Sequence, residues 1–472
     1  MKKHLKKKIY LLVALFLASV GCKNIVEVPA PTNSLTTQQV FSSATTATAA
    51  LVAIYQDMIS NQSNLSYANG LTTLNCGLSA DELLSFNLQN DTQIFQNNQL
   101  VANDGYILNY FWANPYFDIY MANGVIQGLQ ASTSVPSATK NQLIGEAQFL
   151  RAYIYFYMVN LFGGVPLATT TAYAHTENLP RASTAEVYSQ IIADLKSAQS
   201  LLLADYSVSG NQRIRANKWA ATALLARAYL YTAKWDSAAM EATQVIKNSS
   251  LYSLVPNLNN VFLANSNEAI LQLAPNSQTT WATEEGYQIL PSPLDSGNPN
   301  YYLTPQLLSA FENGDQRRVA WVDSTNYSGT VYYYPFKYKI AEGSANSVPE
   351  YYMLLRFAEQ YLILAEAEAN GAGGGTAAAV TDLNIIRARA GLAPLSSGLN
   401  SSQVMSAVMQ ERRIELFSEW GHRWFDLKRT GAASAVLSAI SYKQPWNDDQ
   451  LLYPIPYVEI QRDPNLKQNP GY

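Results

Sequence analysis

Few side chains in this 472-residue chain could do chemistry, and their spacing argues for binding over bond-breaking. Beyond the N-terminal segment there are two histidines, His175 and His422, far apart and without a partner at metal-ligand spacing. No Gly-x-Ser-x-Gly elbow, phosphate loop or His-Glu-x-x-His pattern occurs. Gly371 to Gly375 lacks the lysine and flanking strand of a phosphate loop and reads as a turn between helices. Glu284 and Glu285 are adjacent, as are Asp448 and Asp449. A glycosidase needs two carboxyls facing each other across about 5–9.5 Å, which adjacency does not indicate. Both pairs read as solvated loop charges, and no catalytic residue, metal ligand or cofactor is expected.

Stacking and hydrogen bonding are better supported. Sugars present C–H faces that stack on flat rings, and their hydroxyls need amides, carboxylates or guanidinium groups beside the ring. Trp281, Tyr287, Tyr301, Tyr302 and Trp321 lie outside any helical period, with Glu284, Gln288, Asn298, Asn300, Arg317 and Asp323 nearby. Tyr67 and Asn69, in a polar loop before Asp81, form a second group. The predicted ligand-binding residues are therefore Tyr67, Asn69, Trp281, Tyr287, Tyr301, Tyr302, Arg317 and Trp321; loop packing is the competing role for each ring. Tyr332, Tyr333 and Tyr334 alternate as in a strand, so at most one face could meet a ligand. Trp112, Tyr116 and Tyr120 keep helical spacing and read as core.

The elements that must position these residues are mostly helical. Leu51, Ile54, Tyr55, Met58 and Ile59 recur at helical spacing, as do Ile119, Ala122, Asn123, Ile126 and Leu129. Residues 141–161 are apolar on several faces, predicting a buried helix that stops at Gly163-Gly164-Val165-Pro166. Residues 216–247 read as two helices broken near Lys234-Trp235-Asp236, with Ala226, Tyr229, Ala238 and Ala242 where a tetratricopeptide repeat puts its packing residues. Residues 353–370 and 376–390 predict a second pair, and 404–420 a further helix. In that last stretch Glu411 and Glu415 share a face and Glu419 precedes Arg423 by four, a helix-supporting spacing; Trp420 and Trp424 are expected between helices. Residues 249–348, rich in Asn, Ser, Pro, Gly and aromatics, predict long loops with a few short strands, such as 269–273 and 331–334.

Composition agrees with a globular binding protein. Apolar residues make up 48% of the chain; charged residues make up 14%, against a usual figure of about 25%, which argues against disorder and coiled coil. A net charge of −4 leaves no basic footprint for nucleic acid. Five lysines (Lys2, Lys3, Lys6, Lys7, Lys8) precede a short apolar run from Ile9 to Val20 and the sequence Leu17-Ala18-Ser19-Val20-Gly21-Cys22. This reads as an export signal ending in a lipobox, with Cys22 lipidated, rather than a membrane span. Loss of those lysines leaves a net charge of −9, so attachment to a membrane would come from several acyl chains on Cys22, not from charge. Cys76 then has no disulfide partner and is expected to be buried.

Several segments line up with one family. After Cys22 come residues 145–153 (Gly145-Glu146-Ala147-Gln148-Phe149-Leu150-Arg151-Ala152-Tyr153) and 162–167 (Phe162-Gly163-Gly164-Val165-Pro166-Leu167). Later come 355–359, 364–367, 384–391, Glu411-Arg412-Arg413-Ile414-Glu415-Leu416, Arg423-Trp424-Phe425-Asp426-Leu427-Lys428-Arg429, Tyr453-Pro454-Ile455-Pro456 and a terminal Gln468-Asn469-Pro470-Gly471-Tyr472. In order and coverage these resemble the SusD/RagB family of nutrient-uptake lipoproteins of the Bacteroidota. The resemblance implies a mainly α fold, with about four tetratricopeptide-like helix pairs supporting a long loop-rich ligand-binding region and few short strands. It implies a lipoprotein of the outer membrane, facing the cell exterior, that delivers an oligosaccharide or polysaccharide to a SusC/RagA-type TonB-dependent transporter. A peptide-capturing homologue, a helical-repeat scaffold without small-molecule binding and a surface hydrolase are the rivals. The expected division is a signal peptide over 1–21, anchor and tether over 22–43, an N-terminal SusD-like helical part over 44–248, a loop-rich ligand-binding segment over 249–348, and a C-terminal SusD/RagB-like helical part over 349–472.

Overall fold

The computed structural model describes residues 35–60, 66–88, 90–291 and 297–472. The export signal and Cys22 lie outside the described residues. Helix α1 (Ala44–Ile59) starts at an N-cap where the Ser43 hydroxyl accepts from Thr46 N–H, and it buries Leu51, Ile54, Tyr55, Met58 and Ile59. A short buried helix α2 (Leu71–Ser79) leads into strand β1 (Leu83–Ser85). A π-helical stretch, Ile107–Ala113, runs directly into α3 (Asn114–Ala131).

The central element is α4 (Ser137–Phe162), a 26-residue helix buried on nearly all faces. Such all-round apolar patterning belongs to a helix enclosed by others. Its buried charges are paired: Arg151 grips Asp194 at 2.6 and 2.8 Å, and Glu146 takes Arg215 at 2.6 and 3.0 Å. It ends at Gly163, whose φ of 73° is the left-handed conformation that the sequence anticipates. Helix α5 (Thr184–Leu201) opens with a Ser183–Glu186 capping box. Helices α6 (Lys218–Tyr231) and α7 (Trp235–Ile246) form the expected pair, broken at Ala233 with φ 52°.

Helix α8 (Glu284–Ile289) is a short helix in the loop-rich block. Helices α9 (Phe357–Ala369), α10 (Gly375–Arg389), α11 (Ser401–Glu415), α12 (His422–Arg429) and α13 (Tyr457–Arg462) complete the chain. Packing runs α1 on α3, α3 on α4, α4 on α5, α5 on α6, α6 on α7, α7 on α9 and α9 on α10, which is a stack of helix pairs. Ala226, Tyr229, Ala238 and Ala242 are all buried at these contacts.

Among the described residues the strands form three two-stranded antiparallel sheets. Strand β2 (Ala269–Leu273) pairs with the later strand Tyr352–Arg356; β3 (Tyr301–Leu303) pairs with β1; and β4 (Val322–Tyr327) pairs with β5 (Thr330–Pro335). The β4–β5 turn is Ser328-Gly329, both with positive φ, which suits the twist of a two-residue hairpin. Strand Tyr352–Arg356, here β6, corrects the helix expected from residue 353. Its five residues are buried on both faces, and a short continuous apolar run does not distinguish strand from helix.

The helix expected over 404–420 also stops early, at Glu415. Ser418, Trp420 and Gly421 all have positive φ, so Glu419 and Arg423 do not share a helix. Glu419 turns instead to Arg356 and Lys337, and Arg423 to Asp81. Trp420 and Trp424 are buried, as expected. Among the described residues no helix is long and apolar enough to cross a membrane.

Candidate functional site

The β1–β3 pairing builds one wall of a cleft of about 420 Å³. Ser85 lies opposite Tyr301 and Leu84 opposite Tyr302, and because strand side chains alternate, the two tyrosines face opposite sides of the sheet. Tyr301 turns to the cleft; Tyr302 turns to Tyr332, ring centroids 5.1 Å apart. Leu71 and Leu74 of α2 supply apolar lining, and Tyr106, just before the π-helical stretch, supplies a second ring. Tyr106 is braced by Tyr110 at 4.7 Å and Phe95 at 5.9 Å.

Amides, hydroxyls and one carboxylate complete the lining: Asn75, Ser85, Asn87, Asp91, Thr92, Gln288 and Asn300. Several are held in place by bonds to the scaffold. Asn75 Nδ2 donates to the Tyr106 hydroxyl at 3.4 Å, Ser85 Oγ to the Asn87 carbonyl at 2.9 Å, and Asn300 Nδ2 to the Gln288 carbonyl at 3.1 Å. Gln288 Nε2 donates to Glu284 Oε1 at 2.6 Å, one turn back on α8. Burial, helped by the nearby Glu284 charge, pushes the Tyr301 hydroxyl up to about 12, so it is a neutral donor at physiological pH. Two rings and fixed polar groups lining one cleft can stack a flat apolar face while exchanging hydrogen bonds with hydroxyls.

Of the eight predicted ligand-binding residues, the cleft takes Tyr301, together with Gln288 and Asn300 from their flanking polar set. Tyr302 is half-buried against Tyr332, Tyr287 is exposed on α8, and Trp281 is half-buried in a loop with φ 58°. Four predictions are corrected by burial. Tyr67 is in the core, its hydroxyl donating to Asp118 Oδ2 at 2.8 Å. Asn69 is buried, bonded to the Ile59 carbonyl at 2.9 Å and accepting from Glu284 N–H at 3.2 Å. Arg317 is locked by Asp315, Glu411 and Glu415, at 2.8, 2.9 and 3.2 Å. Trp321 is fully buried, its indole N–H donating to the Leu258 carbonyl at 2.9 Å.

Glu284 and Glu285 are also buried, not solvated, and Tyr352 donates to Glu285 at 3.1 Å. Conversely Tyr120, read as core, is 56% exposed, while Trp112 of the same group is buried. Sequence reasoning missed Tyr106, Asn75, Ser85, Asn87 and Asp91. The Asn- and Gln-rich run over 87–98, set between helical patterns, was the available signal for part of this wall. Among the described residues no group of three or more His, Cys, Asp or Glu could hold a metal ion. Cys76 is buried and its thiol pushed up to about 12 by burial, which makes it a poor nucleophile.

A family model described as the SusD family matches residues 322–472, and one described as starch-binding and associating with the outer membrane matches residues 32–230. Over these two stretches the chain is similar to the SusD family. SusD-like protein P2 of Formosa agariphila is 27% identical over 99% of this chain and all of its own length. A solved structure described as a laminarin-binding SusD-like protein is 25% identical, with a TM-score of 0.74 over 91% of this chain and 99% of that one. Surface glycan-binding protein A from Bacteroides thetaiotaomicron, solved in complex with laminarihexaose, shares the fold at 20% identity, with a TM-score of 0.74 over 90% of this chain and 99% of that one. The SusD-family segments at the C-terminal end serve the fold. Arg387 and Arg389 of α10, Glu411 and Glu415 of α11, and Asp426 and Arg429 of α12 are all engaged in ion pairs with little exposure.

Proposed function

We propose that this chain captures a neutral oligosaccharide between Tyr106 and Tyr301 at the outer membrane, held there by lipid on Cys22, and passes it to a SusC/RagA-type TonB-dependent transporter. The observation that carries the binding step is the pair of tyrosine rings lining one cleft, with amide groups fixed beside them and Asp91 in the lining. Asp91 in the lining and Glu284 behind Tyr301 favour an uncharged ligand over a polyanionic one. The laminarin-binding relative supports a glycan as the ligand class, and the outer-membrane description of the matching family supports the site of action. Delivery to a transporter and surface exposure follow from the resemblance to the SusD/RagB lipoproteins. No bond is broken in this scheme: the ligand leaves chemically unchanged.

The test is calorimetric titration of the detergent-solubilised full-length protein with plant, microbial and host glycans, with peptides as controls. One glycan class should saturate, and Tyr301→Ala should weaken it at least about tenfold, equivalent to about 1.4 kcal/mol, while Tyr301→Phe keeps most of the affinity. Saturable binding of peptides and of no glycan would reject this reading.

A further inference from the structure

A second, larger cleft of about 570 Å³ lies along the same helical run that carries Tyr106. Trp112, Tyr116 and Tyr120 lie on one side; Tyr173 and Glu177 face them from the segment after Pro166; Arg462 closes the end. Its base is rigid. The Tyr116 hydroxyl donates to the Pro166 carbonyl at 2.8 Å, Asn123 Nδ2 to the Ala168 carbonyl at 3.0 Å, and Arg151 donates to Asn123 Oδ1 at 2.7 Å. Trp112 lies beneath, 5.1 Å from Tyr116.

The rim is built differently. Tyr120 is 56% and Tyr173 75% exposed, so these rings, from two separate elements, contribute little to the core. Glu177 and Glu459 stand beside them, with Asp463 buried below; among the described lining residues Arg462 is the one cation, and it pairs with Glu459 at 2.7 Å and keeps further donors facing solvent. Exposed flat rings over a stiff floor, with acceptors in excess and one forked donor, suit hydroxyl-rich, uncharged ligands; the excess of acids disfavours phosphate, sulfate or uronate. The concave shape and its volume suit a short oligomer better than a flat protein face.

We infer that this cleft is a second saccharide-binding site, stacking neutral sugar units on Tyr120 and Tyr173. It rests on the reading that the chain binds saccharides, but uses none of the residues of the first cleft. A polymer occupying both sites would be held more tightly than either site alone allows.

The test separates the two sites. Hydrogen exchange and calorimetry are run on the full-length protein with laminarihexaose and maltohexaose, for wild type, Tyr301→Ala and the double variant Tyr120→Ala/Tyr173→Ala. The expected result is glycan-dependent protection of residues 166–179 and 457–466 that survives Tyr301→Ala. In the double variant this protection disappears and affinity at that site falls at least about fivefold, with Tm unchanged because both rings are exposed. Protection confined to segments of the first cleft overturns the second site and leaves the proposed function standing. Protection at neither cleft by either hexasaccharide overturns it too. So does a double variant that binds both glycans normally but no longer co-purifies with a membrane transporter, since the rings would then serve a protein interface.

Discussion

Tyr301 and Trp321 have the same sequence credentials: a ring in a loop-rich block, outside any helical period, with polar neighbours. Tyr301 faces a cleft, whereas Trp321 is enclosed, with Lys337 Nζ 4.7 Å from its centroid and Arg356 and Arg389 at 5.7 and 5.9 Å. Their substitutions should separate accordingly. Trp321→Ala should lower unfolding stability by about 3–5 kcal/mol in denaturant titration, whereas Tyr301→Ala, at a half-buried ring, should change affinity at a smaller cost in stability. Glu359 shows the same logic for charge. Its carboxylate meets Arg227 at 2.6 and 2.7 Å, both fully buried. Burial pushes this carboxyl up, but the charges of Arg227, His422 and Arg412, with the Arg227 hydrogen bond, outweigh it and hold the group down to about 2. Because the folded value lies below the unfolded one, its stabilisation is present above about pH 4.5 and is lost as pH falls towards 2. Glu359→Gln should cost about 3–5 kcal/mol near neutrality, by leaving Arg227 buried without a counter-charge. A variant as stable as wild type at pH 7 would contradict this.

At the scale of elements, the backbone between α11 and α12 decides how the loop-rich block meets the helices. Gly421 has φ 70°, and a Cβ there would lie 2.4 Å from Cys76 Cβ. Gly421→Ala combines left-handed strain with a core clash and should destabilise by at least about 2 kcal/mol; Cys76→Ala in the same chain should restore part of that loss. The positive-φ residues send Glu419 back to β6, where Arg356 bonds Glu268, Glu415 and Glu419. Lys337, Arg317 and Arg389 converge on the same acids. The sequence does not mark β6 as a strand because both of its faces are apolar or engaged, which removes the alternation that marks a strand. The helices α4, α6, α7, α9 and α10 were legible because each carries its own period and stop signal, a local property of the chain.

For the whole molecule, stability should depend on pH in a way set by buried carboxyls. Glu82 and Glu285 are each pushed up to about 8, Glu82 by burial and then the Asp81 charge, Glu285 chiefly by burial. A folded value above the unfolded one means their contribution is fully present below about pH 4.5 and declines as pH rises towards 8. Above pH 7 the buried lysines Lys428 and Lys443, pushed down to about 7 by burial, act in the opposite direction. Thermal unfolding should therefore show Tm falling between about pH 5 and 7, and Glu82→Gln/Glu285→Gln should flatten that slope. A wild-type Tm that is constant or rising across this interval would refute the assignment.

By itself the sequence determined the helical class, the paired-helix stack, the likeness to the SusD family and the structural role of the charged C-terminal segments, because these rest on local period, caps and ordered motifs. Only the tertiary structure decided which loop aromatics face a cleft. Tyr67, Asn69, Arg317 and Trp321 became core, and Tyr106, Asn75 and Asp91 joined Tyr301, through contacts between segments far apart in the chain. Periodicity reports which face of an element is apolar, but a residue outside any period acquires its burial from whatever packs against it, and that partner is set by the fold.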